Sequence, residues 1–279
     1  MEARHGVAHQ GMRSNLLSRW LYAAGVAVMI GLTGCVTETK HSVYTNEYSR
    51  DAAVQARVNA AMEYLRKGDT DNAIRHLRAA HDLDKRSATV NNGLALAFQV
   101  TGEMSLAEKH YKAALRADSN LTAARNNYAV FLYGEERYPE ACRHMRRVID
   151  DTLYEKRADA FHNLGQCELR LGNTDAAEEA FTRALALNRG HSGAMLELAD
   201  INLRQGSFVE AMRYYQQFDA RSEQNARSLY VGIQLAEQFN EADTRASYAL
   251  ALKNLYPHSA EYLRYKKESS NDATNRATQ

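Results

Sequence analysis

The chain has 279 residues, a formal net charge of +1 and 45% hydrophobic residues. Its length and apolar content allow a sizeable core, and the balanced charge offers no electrostatic basis for binding nucleic acid. Only two prolines and an abundance of Ala, Leu, Arg and Glu favour helix. There is no long alternation of β-branched residues, so an all-α fold is expected.

The N-terminus carries a targeting pattern. Arg13 and Arg19 precede an apolar run from Trp20 to Gly34. The run is shorter than the roughly 20 residues of a membrane span and suits the apolar core of a secretory signal. Leu32-Thr33-Gly34-Cys35 resembles the lipobox of bacterial lipoproteins. That resemblance implies removal of residues 1–34 as a signal peptide and attachment of a covalent lipid to the Cys35 thiol; no other cofactor is expected. The alternative is an ordinary thiol after a signal anchor. A start at Met12 gives a more ordinary signal than one at Met1. Residue 36 is Val and not the Asp that commonly retains such lipoproteins in the inner membrane. The implied location is therefore the periplasmic face of the outer membrane. Several acyl chains, at about 0.8 kcal/mol per buried CH₂, make such an anchor effectively permanent. Residues 35–53 read as the lipidated Cys and a polar tether, because 36–50 lack helical periodicity.

A spacing then returns. Gly68, Ala73, Leu77 and Ala80 form one set, and Gly102, Ala107, Tyr111 and Ala114 form the next, 34 residues on. Gly172, Ala177, Phe181 and Ala184 repeat it, as do Gly206, Ala211, Tyr215 and Phe218, again 34 apart. This period and pattern resemble the tetratricopeptide (TPR) repeat, a helix–turn–helix unit that stacks into a solenoid. Six units are expected over residues 54–259: 54–87, 88–121, 122–157, 158–191, 192–225 and 226–259. The third is two residues longer, carries Glu136 in the glycine slot, and opens its second helix with Tyr138-Pro139-Glu140-Ala141. The sixth is weak and lacks the glycine, though it keeps Leu229, Leu252 and the closing Pro257. Small residues sit where paired helices cross, and large ones plug the space between units. The glycine suits a left-handed helix stop. The end of the chain, 260–279, is expected to finish in a polar, disordered tail from Lys266.

Cys142 falls in the second helix of the third unit and Cys167 in the first helix of the fourth, which are neighbours in such a stack. An oxidising periplasm favours a disulfide between them over two buried thiols. Two cysteines alone do not make a zinc site, so no metal is expected.

The first helix of each TPR unit lines the concave side. By repeat position, the partner-binding groove comprises Val58, Met62 and Leu65, then Asn92, Leu96 and Gln99, then Asn126, Val130 and Tyr133. His162, Gln166 and Leu169 follow in the fourth unit. Apolar side chains there suit a peptide, and Asn can bond its backbone; the plainer reading is packing or solvated surface. These positions are mostly neutral, so no cationic clamp is expected. No phosphate loop, His-Glu-x-x-His, Gly-x-Ser-x-Gly or Cys-x-x-Cys occurs, which leaves no nucleophile–base or ligand constellation and argues against an enzyme or a small-molecule substrate.

More specific segments narrow the reading. Residues 126–133, Asn-Asn-Tyr-Ala-Val-Phe-Leu-Tyr, followed by Arg137-Tyr138-Pro139-Glu140-Ala141, resemble the third repeat of type IV pilus biogenesis lipoproteins of the PilF/PilW type. Leu187-Asn188-Arg189, the run from Gln224 to Leu229, Leu255-Tyr256-Pro257 and Glu261-Tyr262 match as well. The resemblance covers residues 32–265, with Ala129 where that family usually has glycine. It implies a pilotin: an outer-membrane lipoprotein that binds pilus secretin subunits and promotes their outer-membrane localisation and assembly into a ring. The alternative is a TPR lipoprotein that scaffolds another cell-envelope assembly machinery.

Overall fold

The computed structural model describes residues 43–277, all of them helix and short connection. Thirteen helices follow in order: α1 Val43–Arg66, α2 Thr70–Leu83, α3 Ala88–Val100, α4 Met104–Ala117, α5 Thr122–Gly134, α6 Tyr138–Ile149, α7 Arg157–Arg170, α8 Thr174–Leu187, α9 Ser192–Arg204, α10 Phe208–Asp219, α11 Ala226–Gln238, α12 Ala242–Leu255 and α13 Ala260–Ala277. Each odd helix from α1 to α11 pairs with the next even one, giving the six expected units. Cys35 and the signal segment lie outside the described residues. No helix among those described is long and apolar enough to cross a membrane.

The turn inside each unit explains the glycine spacing. Gly68, Gly102, Gly172 and Gly206 have φ of 76°, 81°, 80° and 78°. At Gly102 the chain reverses while its N–H donates to Gln99 O and the next N–H, of Glu103, donates to Phe98 O at 2.8 Å. This closes the carbonyls that a helix end leaves open. Glu136 and Asn240 take the same left-handed conformation, at φ 59° and 58°, in the third and sixth units. The backbone period therefore holds where the residue type changes, and the sixth unit is complete despite its weak sequence.

Between the helices the small residues do what the spacing implies. A Cβ placed on Gly165 of α7 would stand 2.6 Å from the Phe181 ring of α8, and one on Gly93 of α3 would stand 2.5 Å from Leu77 of α2. Tyr111 and Phe181 are fully buried, and the Tyr111 ring lies 5.5 Å from both Tyr128 and Phe131 of the following unit. Burial of such side chains contributes roughly 1.5–3 kcal/mol each. Cys142 of α6 and Cys167 of α7 form a disulfide, with Cα atoms 5.7 Å apart. It ties the third unit to the fourth.

Two segments differ from expectation. Residues 43–53, read as part of a tether, belong to α1. Val54 and Val58 on that helix are buried, so its one apolar stripe suffices although the preceding turns lack one. The polar tail is helix α13 through Ala277. Tyr262 and Tyr265 pack against the cluster of Leu229, Tyr230, Ile233 and Leu252, and the Tyr230 hydroxyl donates to Glu268 at 2.8 Å. Two tyrosines one turn apart anchor a helix whose other residues are mostly polar, with Leu263 left exposed.

Candidate peptide-docking face

The odd helices α1 to α11 supply the inner face. At the N-terminal end, Met62, Leu65, Leu96 and Tyr133 are half-buried and rest on the core, while Val130 is 41% exposed. Asn92 and Asn126 are half-buried, and the Asn127 amide donates to Asn92 Oδ1 at 3.1 Å across the two units. The arrangement offers branched apolar side chains interleaved with neutral hydrogen-bonding groups, which suits an extended peptide.

Two expected members do not belong to this face. Val58 is only 7% exposed and lies in the core cluster that includes Val54 and Ala61 of its own helix and Ala73 and Leu77 of α2, so it packs between the helices and does not face a groove. Gln99 accepts the Tyr111 hydroxyl at 2.8 Å. Burial pushes the Tyr111 phenol well above its ordinary range, so this hydroxyl stays protonated and Gln99 is held as its acceptor. Asn91, beside Asn92, turns inward and donates to Ser87 O at 2.8 Å.

The C-terminal end of the face, in the fifth and sixth units beyond the expected groove residues, is charged. Arg227 of α11 pairs with Glu197 at 2.6 Å and with Asp200 at 2.9 Å, both on α9. Arg204 also forks onto Asp200, at 3.0 and 2.7 Å. Glu197 is only 4% exposed. Burial opposes the charge of Arg227, but the two carboxylates outweigh it and hold its pKa above the ordinary arginine value. A cavity of about 330 Å³ joins the two ends, bordered by Tyr133, Gln166, Leu169, Arg170 and these arginines. Arg170 Nε donates to the Tyr133 hydroxyl at 3.1 Å. His162 lies apart, tilted against Phe181 at 5.5 Å, with burial, then His191, lowering its pKa. The signal for this network was present as charged residues at the same repeat positions that hold Leu96 and Asn127 earlier in the chain. Among the described residues no three His, Cys, Asp or Glu side chains converge as a metal site.

Comparison with known proteins places this architecture. Family models described as tetratricopeptide repeat match residues 58–122 and 162–226, and residues 120–190. The type IV pilus assembly protein PilF of Pseudomonas aeruginosa is 40% identical over 239 residues, covering 86% of this chain and 95% of the relative. The chain belongs to the PilF family of TPR proteins of type IV pilus biogenesis. A solved structure of Pseudomonas aeruginosa PilF superposes with a TM-score of 0.75 at 40% identity, over 79% of this chain and 99% of that one. PilW, described as a widely conserved type IV pilus biogenesis factor, shares the fold with a TM-score of 0.67 at 24% identity, over 76% of this chain and 97% of that one. The PilF-family chain thus has its six TPR units, and such a protein acts through protein partners.

Proposed function

We propose that this PilF-family protein is a lipid-anchored pilotin, held to the periplasmic face of the outer membrane through Cys35. It receives subunits of the pilus secretin on the inner face of its first three units and promotes their localisation and assembly. The observation that carries the reading is the 40% identity to PilF across 95% of that protein. The neutral face of Met62, Leu65, Asn92, Leu96, Asn126, Val130 and Tyr133 supports docking of an extended segment there. The role needs no catalytic residue, metal or cofactor.

The test compares membranes from wild-type and deletion strains on a gel that preserves secretin rings. The expected result is loss of multimers, with monomers stranded in the inner membrane. Unchanged multimers in the outer membrane would overturn the reading and leave a TPR adaptor of another envelope machinery. A Cys35→Ala strain tests the anchor separately, and unchanged outer-membrane fractionation would sink the lipobox reading.

A further inference from the structure

The eighth residue after each left-handed turn residue occupies one equivalent place on the second helix of every unit: His76, His110, His144, Ala180, Tyr214 and Tyr248. In five units this is a ring that fills space. His76 stacks on Tyr64 at 5.4 Å. His110 stacks on Phe98 at 5.5 Å, with Nδ1 2.9 Å from Asn91 Oδ1. His144 meets Tyr128 edge-on at 5.0 Å, Tyr214 packs on the neighbouring clusters, and Tyr248 meets Tyr215 at 6.2 Å. The fourth unit alone has a methyl group there.

Beside Ala180 lies a cavity of about 570 Å³, floored by Ile149, Phe161 and Leu164. The longer connection between α6 and α7 borders it, since Ile149 ends one helix and Arg157 begins the other. Its rim is cationic. Arg146 pairs with the buried Glu168 at 2.6 Å. Arg157 donates to Ile149 O at 2.8 Å and lies over the Phe161 ring at 5.4 Å. Arg157 and Arg183 form no ion pair within 4 Å among the described residues, though Asp151 lies near enough to Arg157 for that charge, after the Thr122 hydroxyl, to help lower its own carboxyl pKa; Glu179 is the one further acid on the rim. The cavity uses a different side of α7 from the one that carries Gln166 and Leu169.

We propose that this cavity is a second docking site, which takes one apolar side chain of an acidic peptide segment. A phenylalanine- or leucine-sized group fills the place that rings occupy in the other units, and flanking carboxylates meet Arg157 and Arg183. The volume lies within the range of binding pockets. A desolvated apolar anchor in a pocket whose rim excludes water is how a small contact gains most of its affinity. A guanidinium without a carboxylate partner is matched to a carboxylate in geometry as well as sign. The inner face stays free, so this site stands independently of the secretin reading.

The probe is a phage-displayed library of short random peptides selected on the full mature protein, with enriched sequences synthesised and measured by fluorescence anisotropy. The expected peptides carry an aromatic or branched apolar residue next to Asp or Glu. Ala180→His places a ring at the head of the cavity, where His110 and His144 stand in their units, and should weaken binding at least about tenfold, or roughly 1.4 kcal/mol, with an unchanged circular dichroism spectrum. Arg183→Glu, on the exposed rim, should weaken it similarly and decides the matter if Ala180→His does not fold. Failure to enrich peptides, enrichment without acidic residues, or equal binding to the variant that folds would overturn the proposal. So would competition by anionic phospholipid vesicles at the same site, which would make the occupant a lipid surface.

Discussion

The two ends of the inner face use the same repeat positions for opposite chemistry. Asp200 occupies in the fifth unit the position of Leu96 in the second and Val130 in the third, and Glu197 occupies that of Asn127. The first three units present neutral groups with spare capacity. The fifth and sixth present charges already matched to one another through Arg204 and Arg227. The lesson is that a repeat's period governs its crossings and turns but not its inner face. One end of a uniform scaffold can be left open to a partner while the other is cross-braced.

The disulfide sits where the two halves meet, and breaking it should have the largest effect. It closes a loop with a sequence separation of 25, for which chain entropy gives about 3 kcal/mol. Cys142→Ser with Cys167→Ser should lower the urea midpoint accordingly. Equal midpoints for oxidised and reduced protein would show that packing alone joins the halves. Next, Arg227→Ala should cost roughly 2–3 kcal/mol, below the full figure for a broken buried pair because Arg227 is partly exposed and Arg204 still meets Asp200. Chemical denaturation reads this, with the exposed Arg143→Ala as the near-neutral reference.

Acid should act on the N-terminal half. Burial, then Arg125, brings His144 down to a pKa of about 4. The unfolded chain therefore takes up this proton first as pH falls. The stability that the neutral ring contributes is complete above about 6.5 and is lost as pH falls from there towards 4. His144→Gln should flatten the thermal midpoint across that window. An unchanged slope would move the effect to His110 or His162, whose pKa values are also lowered by burial.

The open end has its own test. Val130→Glu should leave the fold intact, because the side chain is exposed, and weaken capture of secretin in a pull-down. Full capture would mean that the partner uses another surface. The smallest effect is expected at the third turn. Glu136 holds φ 59°, so Glu136→Gly should raise stability by up to about 1 kcal/mol, whereas Gly102→Ala should lower it by a similar amount.

These residues also show what was legible in the sequence. The glycines, alanines and large aromatic residues at fixed intervals are dictated by crossings and turns, so the solenoid could be read directly. Glu136 and Asn240 were less legible because the turn constrains a dihedral angle and tolerates several side chains. The docking face was read from position alone. Val58 and Gln99 fell out of it because burial of Val58 in the core of α1 and α2 and the bond of Gln99 to Tyr111 are tertiary facts. The Arg227–Glu197 pair joins residues a whole unit apart, and α13 hangs on two tyrosines too sparse to reveal a helix by period.

A stack of identical modules has no natural end, since every module leaves a face that fits another. By covering α11 with tyrosines while turning Arg264, Lys266 and Lys267 outward, α13 behaves as a chain terminator in the polymer sense. Modules can be gained or lost in the interior without disturbing it, but a chain cut before Ala260 would leave the apolar cluster of Leu229, Tyr230 and Ile233 without its tyrosine cover.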